Sequence, residues 1–285
     1  MATLAHLHEG QPLGSVDPIW TQVRGAAERA IETDPSLNGF MSRTVLNHHR
    51  LEDAIADRVA ERLHHTDMPA DTIRHEIGEA EHLDPSWGGR LRIDLQSVVD
   101  RDPACHRHLE PLLYFKGFQA LQAHRLAHSL WHRGRRDFAL YLQSRMSSVF
   151  QIDIHPATKI GRGVFIDHGT GIVIGETAVI EDRVSILQGV TLGGTGKDEG
   201  DRHPKIRCGV LVGANAAVLG NIEIGHCSKI AAGSVVVKPV PPNVTVAGVP
   251  ATIISAAGCE EPSAAMNQLL GEAAGLEPPS PGLET

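Results

Sequence analysis

Aromatic residues are scarce in this chain and unevenly placed. Phenylalanine, tryptophan and tyrosine make up 4% of 285 residues, and after Gln151 only Phe165 remains. The second half therefore cannot be built on a ring-filled core. Cysteine is also sparse. Cys105, Cys208, Cys227 and Cys259 are far apart with no C-x-x-C, which excludes a zinc finger or disulfide scaffold and fits a reducing cytoplasm. No run of 18 or more apolar residues occurs, so no membrane span is expected. The polar stretch Met1 to Gly10 lacks the basic-then-apolar order of a secretion signal. Positive charge is in the minority: 26 Lys and Arg face 34 Asp and Glu, a formal net charge of −8. A general nucleic-acid-binding surface is excluded on that balance, and any anionic ligand must be met by a local basic cluster.

What the second half does have is a count of six. An apolar β-former recurs at Ile154, Ile160, Ile166, Ile174, Ile180, Ile186 and Leu192, then at Ile206, Val212, Val218, Ile224, Ile230 and Val236. Glycine often follows directly, as at Gly161, Gly175, Gly213 and Gly225. A period of six suits neither a helix nor one long strand. It suits a solenoid in which each hexapeptide forms a short strand and a corner. The expected fold is an all-helical N-terminal domain followed by a left-handed parallel β-helix of four to five coils, with three hexapeptides to the coil. The count breaks between Leu192 and Ile206, where eight extra residues enter a polar, glycine-rich stretch. In a rigid solenoid such an insertion must project as a loop, and loops of this kind carry function.

The organisation expected is a leader over 1–15, a helical domain over 16–150, the β-helix over 151–256 and a mobile acidic tail over 257–285. Asp17-Pro18 is a helix start. Helices are further expected over Leu37 to His65, Asp71 to His82, Leu91 to Val99, Pro111 to Trp131 and Arg135 to Val149. The tail has no Lys or Arg.

Four of the 17 histidines fall in the repeats: His155, His168, His203 and His226. His168 is distinguished by its context. It occupies a glycine-flanked corner beside Asp167, and Asp153 lies 15 residues earlier, close to one coil. Asp153 is expected on the adjacent coil, where a carboxylate fixes the tautomer of the imidazole and raises its basicity. The inserted loop gathers Lys197, Arg202, Lys205 and Arg207, suited to a phosphate or carboxylate. Its Gly-Gly-Thr-Gly-Lys run lacks the spacing of a P-loop. His124, His128 and His132 share a helix face at metal-compatible spacing, but Arg125, Arg133, Arg135 and Arg136 crowd them, and no metal is expected.

From about Asp17 to Ser255 the chain resembles the serine O-acetyltransferases, hexapeptide-repeat acyltransferases of cysteine biosynthesis. The resemblance rests on Arg101-Asp102-Pro103-Ala104, Pro111 to Phe118, Asp153-Ile154-His155-Pro156, Asp167-His168-Gly169-Thr170-Gly171, Asp201-Arg202-His203-Pro204-Lys205 and Val246 to Ala251. It implies transfer of acetyl from acetyl-CoA, a co-substrate rather than a cofactor, to the hydroxyl of L-serine. It implies His168 as general base, Asp153 as its orienting partner, Asp102 and Asp167 on the substrate ammonium, and Arg202 and His203 on the carboxylate and developing oxyanion. Gly194, Thr195, Lys197, Ala214, Lys229 and Lys238 are the candidate coenzyme A contacts. The family also implies trimers or dimers of trimers, feedback inhibition by L-cysteine, and docking of the C-terminus into O-acetylserine sulfhydrylase. Docking tails typically end in isoleucine, whereas this chain ends Gly282-Leu283-Glu284-Thr285. A related acetyltransferase acting on another hydroxyl, such as a sugar, shares the β-helix but lacks the long helical domain carrying Asp102. A lyase reading would need an H-x-x-x-x-H metal pair, which the repeats lack. A β-helical scaffold would need neither the Asp153, His168 and His203 constellation nor a basic loop.

Overall fold

A computed structural model describes residues 17–196 and 199–270; the leader over 1–15, Lys197 and residues 271–285 lie outside the described residues. The Asp17 carboxylate accepts from the N–H groups of Ile19 and Trp20 and starts α1 (Pro18–Thr33). The single helix expected from Leu37 to His65 is instead broken. Helix α2 (Asn38–Met41) widens into a π turn over Ser42–Leu46, and α3 (Leu51–Leu63) begins afresh. The carbonyls near the break are taken up by α1: Trp20 Nε1 donates to His49 (2.9 Å), and Arg24 Nη1 donates to Leu46 (3.0 Å) and His48 (2.8 Å). Helices α4 (Ala70–Leu83) and α5 (Trp87–Arg101) follow. The helix expected over Pro111 to Trp131 is also two, α6 (Leu109–Leu113) and α7 (Lys116–His132). Side chains again claim the carbonyls near the break: Gln119 Nε2 takes that of Leu112 (2.9 Å) and Arg58 Nη2 that of Leu113 (2.6 Å). Side-chain donors, most of them distant in sequence, thus satisfy backbone groups that an uninterrupted helix would have paired itself. Helix α8 (Arg136–Phe150) ends at Gln151, whose φ is 58°.

The coils follow at once. The first holds β1 (Ile152–Ile154), β2 (Lys159–Ile160) and β3 (Phe165–Ile166); the second β4 (Ile172–Ile174), β5 (Val179–Ile180) and β6 (Ser185–Ile186). The third holds β7 (Thr191–Gly193), β8 (Lys205–Ile206) and β9 (Leu211–Val212); the fourth β10 (Ala217–Leu219), β11 (Glu223–Ile224) and β12 (Lys229–Ile230). A fifth begins with β13 (Val235–Val236) and β14 (Val244–Gly248) and closes on an antiparallel strand, β15 (Ala251–Ala256). Equivalent strands stack in parallel into three sheets, β1-β4-β7-β10-β13, β2-β5-β8-β11 and β3-β6-β9-β12-β14. The apolar residues of the six-count point inward. From Ile174 to Val236 each is at most 2% exposed, and each such burial contributes roughly 2 kcal/mol.

The register locates the irregularities. Lys205 pairs with Glu223 and Ala217 with Val235, steps of 18. Val179 pairs with Lys205, a step of 26, so the eight extra residues are absorbed at one corner. Ile152 pairs with Ile172, a step of 20: the His168 corner carries two residues more than its counterparts below.

Amides of the first coil donate forward, as His155 N–H does to the Ile174 carbonyl (3.0 Å), so first-coil carbonyls point back towards the helices. There α7 supplies donors. His128 Nδ1 meets the Pro156 carbonyl (2.8 Å), His124 Nε2 that of Thr158 (3.2 Å), and Arg125 Nη2 that of Gly161 (2.8 Å). This is what the histidine face of α7 does; among the described residues no cluster of His, Cys, Asp or Glu is placed to hold a metal.

The acidic tail expected to be mobile is anchored in its first half. After α9 (Pro262–Ala265), the chain runs over the third sheet, where Lys229 Nζ donates to the carbonyls of Asn267 (3.3 Å) and Leu269 (2.8 Å). Ion pairing contributes too, between Glu261 and Arg183 (2.8 Å). No helix among the described residues is long and apolar enough to cross a membrane.

Candidate active site

The sequence-derived residues gather in two groups, one at each end of β4. The first surrounds a cavity of about 300 Å³ between the helical half and the corner preceding β4. Asp102, Asp167, His168, Lys116 and Thr170 line it, with Phe115 and Phe165 as apolar walls. Asp102 arrives as the C-cap of α5, and its Oδ1 accepts from the Ala104 N–H (2.8 Å). Asp167 and His168 arrive on the enlarged corner. His168 has φ 52°, the left-handed region that non-glycine residues avoid, between Asp167 and a glycine at φ 79°. Its imidazole is 76% exposed, and Nε2 stands 3.8 Å from Asp167 Oδ1. Burial raises the Asp167 carboxyl above its ordinary range; His168 opposes that shift and the nearby Asp102 carboxylate adds to it. Lys116 Nζ donates to the Thr170 hydroxyl, and burial lowers its pKa. Two carboxylates against one ammonium leave this cavity suited to a cationic group.

The structure does not pair Asp153 with His168. Asp153 lies opposite Val173 on the neighbouring coil, and its Oδ1 accepts from Gln143 Nε2 of α8 (2.7 Å). A spacing of 15 falls short of a coil: a regular step of 18 would bring position 171 opposite Asp153, the two extra corner residues make it 173, and position 168 therefore lies on the corner before β4. The two remain near neighbours, because the backbone of Gly169 packs against the Ile152 side chain.

The second group lies beyond β4, where the inserted loop returns. Thr177 organises it. Its Oγ1 accepts from the N–H groups of Arg202 (3.0 Å) and His203 (3.1 Å). Its own N–H donates to His203 Nδ1 (3.2 Å), 2.9 Å from which its hydroxyl also lies. Nδ1 is therefore the acceptor, and a neutral His203 carries its proton on Nε2. Burial, with Arg202 adding to it, lowers the His203 pKa and keeps the ring neutral. The ring lies over Gly175, where any Cβ would meet Nε2 at 2.0 Å. Arg202 Nη2 pairs with Glu176 (2.8 Å), and Lys205 Nζ with Asp201 (2.5 Å) and the Thr177 carbonyl (2.8 Å). Thr177, Gln143, Glu176 and Lys116 were not singled out from sequence. Only Lys116 carried a signal, as part of the Pro111–Phe118 motif.

Of the coenzyme A candidates, Gly194 and Thr195 open the loop, and Lys238 is exposed on the same edge of the solenoid two coils later. Ala214 sits at a corner on the His168 edge, where the Gly233 N–H donates to its carbonyl (2.8 Å). Lys229 must be corrected: it is 5% exposed beneath the C-terminal segment, its ammonium spent on backbone carbonyls.

Known proteins match the chain over most of its length. The family model described as serine acetyltransferase, N-terminal, matches residues 19–123. A serine acetyltransferase of Salmonella typhimurium is 51% identical over 257 residues, covering 90% of this chain and 94% of that one. A crystal structure of a Brucella abortus serine acetyltransferase in complex with coenzyme A is 61% identical, with TM-score 0.85, covering 86% of this chain and 98% of that chain. Another serine acetyltransferase structure, a complex with cysteine, is 50% identical with TM-score 0.86, covering 88% and 98%. On identity sustained across both halves, the chain belongs to the serine acetyltransferase family.

Proposed function

We propose that the chain moves the acetyl group of acetyl-CoA to L-serine in a site shared between two subunits, with His168 as general base. The observation that carries this reading is the cavity holding Asp102 and Asp167 beside His168. The serine ammonium sits between the two carboxylates, bringing its hydroxyl under the imidazole. His168 takes the hydroxyl proton as the oxygen attacks the thioester carbon. The tetrahedral intermediate collapses, and the protonated imidazole returns the proton to the departing CoA sulfur. Asp153 exchanges Gln143 for His168 as the site fills; such contacts commonly tighten only in the complex.

Arg202 and the Nε2–H of neutral His203 suit the substrate carboxylate and the oxyanion. Within one chain a whole sheet face separates them from His168, so a neighbouring copy supplies them. The face between the two groups favours this: outward along the first sheet run Asp153, Val173, Thr191, Ala217 and Val235, mostly small, with Val173 44% exposed. A homotrimer packed on that face, alone or doubled through the helical halves, places one subunit's loop at the next subunit's His168. The CoA arm lies along the groove between copies, near Gly194, Thr195 and Lys238. L-Cysteine, sharing the ammonium and carboxylate of serine, occupies the same site as an inhibitor, and the free thiols together with the use of acetyl-CoA support a cytoplasmic location. A thiol-release assay with acetyl-CoA and a panel of acceptors tests the reading. Release with L-serine, suppressed by L-cysteine, is expected; release with sugars but not serine overturns it.

A further inference from the structure

Arg101, the last residue of α5, is 6% exposed and forms no ion pair among the described residues. Its Nη1 donates to the Ser185 hydroxyl (3.1 Å) and, at greater length, to the Val184 carbonyl (3.4 Å). Burial lowers its pKa, with Glu261 and Asp100 opposing from a distance. A buried guanidinium with no carboxylate is costly, and an apolar side chain would hold the helix end more cheaply. Its partner Ser185 is itself 0% exposed and donates its hydroxyl proton onward, to the Ser263 carbonyl (2.8 Å). Ser263 belongs to the C-terminal segment that Arg183, Gly209 and Lys229 fasten across the solenoid. At the other end of this line stands Asp102. Its N–H closes α5 on the Val98 carbonyl (2.9 Å), and its carboxylate is turned by the Ala104 N–H. The next polar tether of α5 to the solenoid, Asp94 on the Gly163 N–H (2.8 Å), lies two turns earlier. The last turn, which carries Asp102, is therefore registered on the β-helix through Arg101.

We infer that Arg101, Ser185 and the backbone of residues 261–269 form a positioning relay that sets Asp102 against Asp167, so that acceptor binding depends on the C-terminal segment. The inference rests on Asp102 as an ammonium contact. Arg101 and Ser185 touch no substrate and act through Asp102. Steady-state kinetics of full-length Ser185→Ala, Arg101→Lys and Asp102→Asn test it. Ser185→Ala removes one hydrogen bond and the link to Ser263, and is expected to raise the KM for serine roughly fivefold. The KM for acetyl-CoA stays within about twofold, because nothing in the relay reaches the loop edge. Arg101→Lys, whose shorter side chain ends short of the Nη1 position that meets both Ser185 and Val184, moves the same way and serves alone if Ser185→Ala does not fold. A purely structural role would lower kcat and melting temperature together and leave both KM values in place; that result overturns the relay. Asp102→Asn is expected to raise the serine KM more than roughly tenfold. If it does while the other two variants leave the serine KM unchanged, the relay alone is overturned; if it leaves KM unchanged, the ammonium reading and the relay both fall.

Discussion

His168 is held in a backbone conformation its own side chain disfavours, at φ 52° on a corner two residues longer than those below. Strain of this sort is tolerated where the surroundings over-determine it, and here it projects a largely exposed imidazole beside the carboxylate-lined cavity. His168→Ala is expected to lower kcat by about a hundredfold or more while leaving the circular-dichroism spectrum unchanged. Near-normal turnover would remove it as the base. Asp167 gives a second residue-scale test. Its raised pKa means that, as pH falls, it is protonated before ordinary carboxylates. The serine KM is therefore expected to climb on the acid side, and Asp167→Asn to give a high KM with that climb much reduced. An Asp167→Asn enzyme with parental KM and pH profile would refute its contact with the ammonium.

At the scale of elements, the seam between α7 and the first coil decides most. A Cβ added at Gly117 would lie 2.1 Å from the Ile166 carbonyl oxygen, a backbone atom with no room to retreat. Gly117→Ala is expected to cost about 3 kcal/mol, read as a lower urea midpoint with unchanged slope. The α7 histidines make the same seam sensitive to pH. Burial holds His124 well below its ordinary pKa and lowers His128 in the same direction. Between the folded and free values the unfolded chain binds more protons, so stability is lost as pH drops through about 6.5. The melting temperature is expected to fall from about pH 7.5 to about pH 5.5, with His124→Gln flattening part of the slope. This seam was largely illegible in the sequence. The six-count announced the solenoid because every inward position obeys it, and the insertion announced itself by breaking it. That His124 and His128 answer carbonyls of a coil some thirty residues later is tertiary information, and spacing alone suggested a metal face. The helix breaks near Asn47 and Tyr114 were hidden for the same reason: the donors from Trp20, Arg24 and Arg58 are distant in sequence. Among site residues, the motifs pointed to Asp102, Asp167, His168 and His203. A spacing of 15, short of even a regular 18-residue coil, misplaced Asp153, and Thr177 was unmarked because its role exists only once the loop has folded back.

On the scale of the whole molecule, the separation of His168 from His203 across one sheet face predicts complementation. In a trimer built from His168→Ala and His203→Ala subunits, one kind of junction keeps both wild-type histidines. Refolding an equal mixture of the two inactive variants is expected to restore up to about a quarter of parental activity. A mixture as inactive as its components would place both histidines in one subunit's site. The anchoring of first-coil carbonyls on α7 bears on how the molecule is made. Repeat stacks can in general nucleate anywhere and spread, but here one end is preferred. The helical half leaves the ribosome first. It presents His124, Arg125 and His128 as a ready-made row of donors, onto which the first coil lays its carbonyls. Each finished coil then offers its forward-facing amides to the next. The helical domain is in this sense a template as well as a wall of the candidate site, and the solenoid has a built-in direction of assembly.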